Sequence, residues 1–268
     1  MRISCIQMNM LENRPAENRA HAEALVRAAV KADRPDTVVL PETWNLGFAP
    51  GSMDAAAADR DGQETIALMS ALSKELSVNI VAGSVVSRRA DGIYNTAYVF
   101  DRTGACVASY DKTHLFSPMG EDRVFHKGDH LCRFPLDGVQ CALIICYDLR
   151  FPELIRSLAL PGLDVLFVVS QWPAVRVPHL TTLSHARAIE NQMFVALCNS
   201  CGTAAGTVYG GHSAIIDPLG TTLSQAGDQE TTITSDCNSE TLTAIRSSIP
   251  VFRDRRPELY RTDCESTC

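Results

Sequence analysis

Cys141-Ala142-Leu143-Ile144-Ile145-Cys146-Tyr147-Asp148-Leu149-Arg150-Phe151-Pro152-Glu153 is the stretch on which the reading of this chain turns. An apolar run leads into Cys146, and polar and charged residues follow at once. The run predicts a buried strand, and the Pro-Glu pair predicts the first turn of a helix. Cys146 is therefore expected where a strand ends and a helix begins. In α/β proteins that edge is where ligands bind.

The same order of signals runs outward in both directions. Before Cys146, strands are expected at 3–8, 36–40, 79–84, 94–100 and 106–110, with helices at 15–32 and 64–76. Residues 43–62, rich in Gly, Pro and Ala, read as an irregular loop. From 139 onward, strands are expected at 139–146, 164–170, 193–199, 212–216 and 221–224, with helices at 152–160 and 178–191. Each half carries an Asp-x-x-Gly hairpin signal in the same place, Asp101-Arg-Thr-Gly104 and Asp217-Pro-Leu-Gly220. Helices alternating with buried strands pack outside sheets. Two such halves predict an α/β fold, a four-layer αββα sandwich of two pseudo-symmetric βαβαββ halves. No Pro/Gly/Ser linker divides them, so residues 1–268 are expected to form one domain. A short helix at 239–249 precedes a C-terminal arm at about 250–268, of the kind that grips a second subunit.

Composition narrows the function. The chain has 268 residues, 46% hydrophobic and 21% charged, with a net charge of -7. The acidic balance and the lack of a basic run argue against nucleic acid or an anionic membrane as partner. No export signal opens the chain, and no apolar run approaches the roughly 18 residues of a membrane helix. A cytoplasmic location is expected. The ten cysteines then do not form a disulfide framework. Cys5, Cys141 and Cys198 read as small buried hydrophobes. Cys198-Asn-Ser-Cys201 has redox or half-zinc spacing, but no second pair completes a metal site; Cys264 and Cys268 would have to fold back from the tail.

A thiol with a pKa near 8.5 is only a few per cent ionised at neutral pH and needs a base or a positive environment. Two other strand ends offer partners, Glu42 in Val-Val-Leu-Pro-Glu42 and Lys112 in Ser-Tyr-Asp-Lys112. If the halves pack about a pseudo-twofold, all three share one rim.

Leu-Pro-Glu42-Thr-Trp-Asn, Tyr-Asp-Lys112-Thr-His-Leu-Phe and Ile-Cys146-Tyr-Asp-Leu-Arg-Phe-Pro-Glu153 resemble the three signature segments of the nitrilase superfamily of carbon–nitrogen hydrolases. The resemblance covers nearly the whole chain and includes Arg187-Ala-Ile-Glu-Asn191. It implies a catalytic triad of Glu42, Lys112 and Cys146, with Glu121 in the place of the family's second glutamate. Trp172-Pro-Ala-Val-Arg176, Arg187-Ala-Ile-Glu-Asn-Gln and Ile249-Pro-Val-Phe-Arg-Asp-Arg-Arg-Pro-Glu-Leu-Tyr260 look most like the ω-amidase branch. That branch cleaves the side-chain amide of 2-oxoglutaramate and 2-oxosuccinamate. A homodimer and a small-molecule amide partner are implied as well.

The chemistry of the residues agrees with these roles. Glu42 is the expected general base, and Lys112 with the backbone N–H of Tyr147 the expected oxyanion donors. No cofactor or metal is required. A carboxylate-bearing substrate on an acidic protein needs a local cation, and Arg176 is the expected one, with Trp172 lining the pocket beside it. Trp44 and Phe48 are further candidates for that wall. Arg150 is nearer to Cys146, but Glu153 or another carboxylate is available to pair with it. The alternatives are an N-carbamoyl amine or other aliphatic amide as substrate, or a catalytically silent interaction module.

Overall fold

The computed structural model describes residues 1–260. In chain order the elements are β1 (Arg2–Gln7), α1 (Pro15–Asp33), β2 (Thr37–Val39), β3 (Asp59–Arg60), α2 (Gln63–Leu76), β4 (Asn79–Arg89), β5 (Gly92–Phe100) and β6 (Cys106–Asp111). The second half supplies β7 (Arg133–Leu136), β8 (Val139–Ile145), α3 (Pro152–Ala159), β9 (Val165–Ser170), α4 (Val177–Asn191) and β10 (Phe194–Asn199). Then come β11 (Cys201–Ala204), β12 (Thr207–Gly210), β13 (Ala214–Ile216), β14 (Thr222–Gln225), β15 (Thr231–Asp236) and α5 (Ser239–Ser248).

Two mixed sheets result. One runs β15-β1-β2-β4-β5-β6, with β3 beside β4; the other runs β14-β13-β10-β9-β8-β7. In each, three parallel strands are followed by an antiparallel hairpin pair. The Asp-x-x-Gly turns that close those pairs are built alike. Asp101 Oδ1 accepts the N–H groups of Thr103 and Ala105, and Asp217 Oδ1 those of Leu219 and Thr221. Gly104 and Gly220 each take a positive φ, which a side chain disfavours.

The strand alternation assigns the layers. Along β8, Cys141, Leu143 and Ile145 face the other sheet, while Ala142 and Ile144 face α3 and α4. Val165, Phe167 and Val169 of β9 face inward, Leu166 and Val168 outward. In the first half Ile3, Cys5 and Val39 meet this inner layer, whereas Ile6, Val38 and Leu40 pack under α1 and α2. Helices, sheet, sheet, helices is the four-layer order that two-sided burial of these near-continuous apolar strands requires.

Four pieces were not read from the sequence: the two-residue strand β3, inside the stretch expected to be an irregular loop, the edge strands β7 and β15, and the β11–β12 hairpin. Strand β15 pairs antiparallel with β1, so the first strand of the chain is clasped by one of the last. Beyond α5 the start of the arm lies on the α3–α4 layer, where Phe252 meets the Arg156 guanidinium. Residues 261–268 of the arm, with Cys264 and Cys268, lie outside the described residues. Among the described residues no helix is long and apolar enough to cross a membrane.

Candidate active site

Three of the four candidate side chains sit just past a strand. The chain leaves β2 through Leu40-Pro41 and presents Glu42, whose N–H donates to the Ser170 carbonyl of the opposite sheet at 3.4 Å. Lys112 follows β6, and its N–H donates to the Asn95 carbonyl at 3.0 Å. Glu121 follows a left-handed Gly120 and starts a short 3-10 turn. Cys146 follows β8 and starts another, over Cys146–Arg150, with φ of 47°. A non-glycine residue in that region is strained, and strain at a sharp strand-to-helix turn is characteristic of exposed nucleophiles.

The four side chains converge from both halves. Lys112 Nζ lies 2.8 Å from Glu42 Oε1 and 3.0 and 2.9 Å from the two oxygens of Glu121. Neither Lys112 nor either glutamate is exposed. The Gln171 backbone N–H donates to Glu42 Oε2 at 2.7 Å, and Phe116 N–H to Glu121 Oε2 at 2.6 Å. Cys146 packs between the inter-sheet layer and the α3–α4 layer and keeps part of its surface open.

The charges decide the protonation states. Burial disfavours the Lys112 ammonium, but Glu121 and Glu42 outweigh it and hold its pKa well above the ordinary value. Burial raises the Glu121 pKa; Lys112 opposes the rise and Glu42 adds to it. At Cys146 burial and then the Glu42 carboxylate push the thiol pKa well up, against a smaller pull from Lys112. These surroundings favour the protonated thiol over a preformed thiolate at rest.

A small pocket of about 320 Å³, its mouth included, opens onto Cys146 and Lys112. Phe48, Phe116 and Trp172 give it apolar walls, and Arg150 and Arg176 give it two cations. Arg176 lies 5.2 Å over the Phe116 ring and Arg150 4.7 Å over the Trp172 ring. Among the described residues neither guanidinium has a carboxylate within ion-pair distance. Arg150 does not pair with Glu153; its nearest polar partner is His179 Nδ1 at 3.3 Å. Trp172 Nε1–H donates to the Arg176 carbonyl at 2.9 Å, tying the two together. Trp44 is core instead, its Nε1–H donating to the Ala82 carbonyl.

A strained cysteine, two buried carboxylates and a lysine at the joint of two sheets describe a known family. Residues 2–247 match the family model for carbon-nitrogen hydrolases. The chain belongs to that family, the nitrilase superfamily. It is 40% identical to the 2-oxoglutaramate amidase of Bacillus subtilis, over 96% of this chain and 98% of that one. It is 31% identical to the human omega-amidase NIT2, over 98% and 97%. Among solved structures it resembles XC1258 from Xanthomonas campestris, a CN-hydrolase superfamily protein with an arsenic adduct in the active site. There the TM-score is 0.89 and the identity 32%, over 96% of this chain and 97% of that one.

The hydrolase has further site residues that sequence reasoning did not single out. Asn95 Nδ2 donates to Glu42 Oε1 at 2.9 Å and Glu121 Oε1 at 3.2 Å, bridging the two carboxylates. Asp148 lies under the Cys146 turn and accepts from Ile145 N–H, Tyr110 O–H, Thr113 O–H and His114 N–H at 2.8–3.0 Å. Buried Arg187 of the Arg187–Asn191 segment donates twice to the Leu149 carbonyl, at 3.1 and 2.9 Å. The Cys146 turn is thus fixed from both sides. Tyr147 lies edge-on to Phe116 and Phe151, so its ring is wall. Cys198 and Cys201 are buried and donate to the backbone carbonyls of Ile6, Val39 and Gln7. No group of three or more metal-ligating side chains occurs among the described residues.

Proposed function

We propose that this hydrolase is an ω-amidase cleaving the terminal amide of 2-oxoglutaramate or 2-oxosuccinamate through a thioester on Cys146. The observation that carries the reading is the pairing of a buried Glu-Lys-Glu cluster beside a thiol with two carboxylate-free arginines in one pocket. The similarity to the 2-oxoglutaramate amidase supports the substrate.

Glu42 takes the proton from Sγ as the thiolate attacks the amide carbon. The carbonyl oxygen becomes an oxyanion, held by the Lys112 ammonium and the Tyr147 N–H. Glu42 returns its proton to the departing nitrogen, the C–N bond breaks and ammonia leaves. Water, deprotonated by Glu42, attacks the thioester; the C–S bond breaks and Sγ regains a proton. Glu121 and Asn95 keep Lys112 and Glu42 aligned throughout. No step calls on a cofactor. Arg176 and Arg150 neutralise the substrate carboxylate, and Trp172 flanks it.

Ammonia release from a panel tests this. Turnover is expected with 2-oxoglutaramate and 2-oxosuccinamate and at most weakly with simple aliphatic amides. Release only from N-carbamoyl amines would replace the substrate; release from nothing by folded protein would leave an interaction module. The reading extends to one domain, a cytoplasmic setting and a homodimer, the last checked by sedimentation.

A further inference from the structure

One donor in the pocket wall has no role in the scheme above. Gln171 follows β9 and is 1% exposed. Its backbone N–H is committed to Glu42 Oε2, and its Oε1 accepts from Thr43 Oγ1 at 2.7 Å. Among the described residues its Nε2 is buried without a partner, in a residue that lines the pocket together with Cys146, Arg150 and Arg176. Leaving such a donor unpaired is costly, so a wall that keeps one is suited to a ligand acceptor.

The substrate proposed above has three polar ends. The amide oxygen goes to Lys112 and Tyr147, and the carboxylate to the arginines. The 2-oxo oxygen is then left without a donor. It is a neutral acceptor, to which a neutral amide N–H₂ can donate without drawing a cation away from the carboxylate. We propose that Gln171 is a specificity-determining residue whose Nε2–H donates to the 2-oxo oxygen. This rests on the ω-amidase reading. It selects 2-oxo acid amides over two near relatives. Glutaramate has a methylene at that carbon and leaves the donor unpaired; glutamine has an ammonium there and sets donor against donor.

The test compares kcat/KM for 2-oxoglutaramate and glutaramate in wild type and Gln171→Met, which keeps the length and removes the donor. The ratio within each protein is the readout, so a general loss from disturbing Glu42 cancels. The wild-type ratio is expected to favour 2-oxoglutaramate, and Gln171→Met to lower that ratio about 10- to 100-fold. An unchanged ratio overturns the assignment, whether or not both rates fall. Should Gln171→Met not fold, Gln171→Asn, which withdraws the amide by one methylene, carries the same comparison. A wild type that ignores 2-oxoglutaramate but cleaves other amides overturns the substrate reading instead. Wild-type turnover with an unchanged ratio sinks the Gln171 role alone.

Discussion

In the proposed mechanism Cys146 starts from an unfavourable resting position for a nucleophile. Burial and the neighbouring Glu42 charge both keep its proton on. Reactivity must then come from proton transfer to Glu42 within the reaction. Replacing Glu42 by Gln separates the two effects. With the negative charge gone the thiolate is less disfavoured, so the Cys146 pKa falls. Iodoacetamide labelling of Cys146 across a pH series, followed by peptide mass spectrometry, should show its midpoint move to lower pH in Glu42→Gln. Ammonia release should meanwhile drop by about 10²- to 10⁴-fold. A midpoint that stays or rises would mean that Glu42 does not face the sulfur as a charge. Glu42, Lys112 and Cys146 could be picked out as candidates in the sequence because each stands just past a strand within a distinctive run, whereas Glu121, in a loop ten residues beyond β6, was reached only through the family resemblance. Asn95, Gln171 and Asp148 were not picked out. Their residue types are common, and their roles come from partners up to 129 positions away. Arg150 was weighed by its sequence neighbour Glu153, whereas the fold turns it onto Trp172.

The element that matters most is the turn after β8. It is held by Asp148 from below and by Arg187 through the Leu149 carbonyl. Asp148→Ala removes an acceptor from four groups at once and leaves buried donors unpaired. It should destabilise the fold by about 3–5 kcal/mol and lower kcat more than KM, because it displaces Cys146 and leaves Arg176, which stands on a separate turn, in place. Thermal melting and steady-state kinetics check both; a normal kcat would show that the turn holds Cys146 without Asp148. The parallel strands and their helices were readable because two-sided burial writes long apolar runs and regular helical spacing. The missed strands lack that signal. Arg133–Leu136 is an edge strand with an internal proline, and Thr231–Asp236 is a mostly polar edge whose only deeply buried residue is Ile233. The β11–β12 hairpin turns at Ala205-Gly206, both at positive φ, where sequence favours Asn-Gly.

Across the whole molecule the site is a seam. Glu42 and Lys112 come from one sheet, Cys146 from the other, and Glu42 also receives its Gln171 hydrogen bond from the opposite sheet. The repeat was visible in the paired Asp-x-x-Gly turns, but the clasp of β15 on β1 was not, since it joins strands more than two hundred residues apart. With the core shared between sheets and the chain ends paired, denaturant should unfold the protein in one transition, with loss of activity and loss of secondary structure coinciding. Lys112→Met leaves two buried carboxylates without their cation. It should lower the midpoint of that transition by the equivalent of about 3–5 kcal/mol, besides abolishing turnover. Two separate transitions would contradict a single unit. The most direct test of the account is ammonia release from 2-oxoglutaramate by wild type and Cys146→Ala at matched folded concentration. The account predicts turnover by the wild type and a fall of at least about 10⁴-fold in Cys146→Ala, with the melting temperature retained. A folded Cys146→Ala protein that still releases ammonia within about tenfold of the wild type would contradict it.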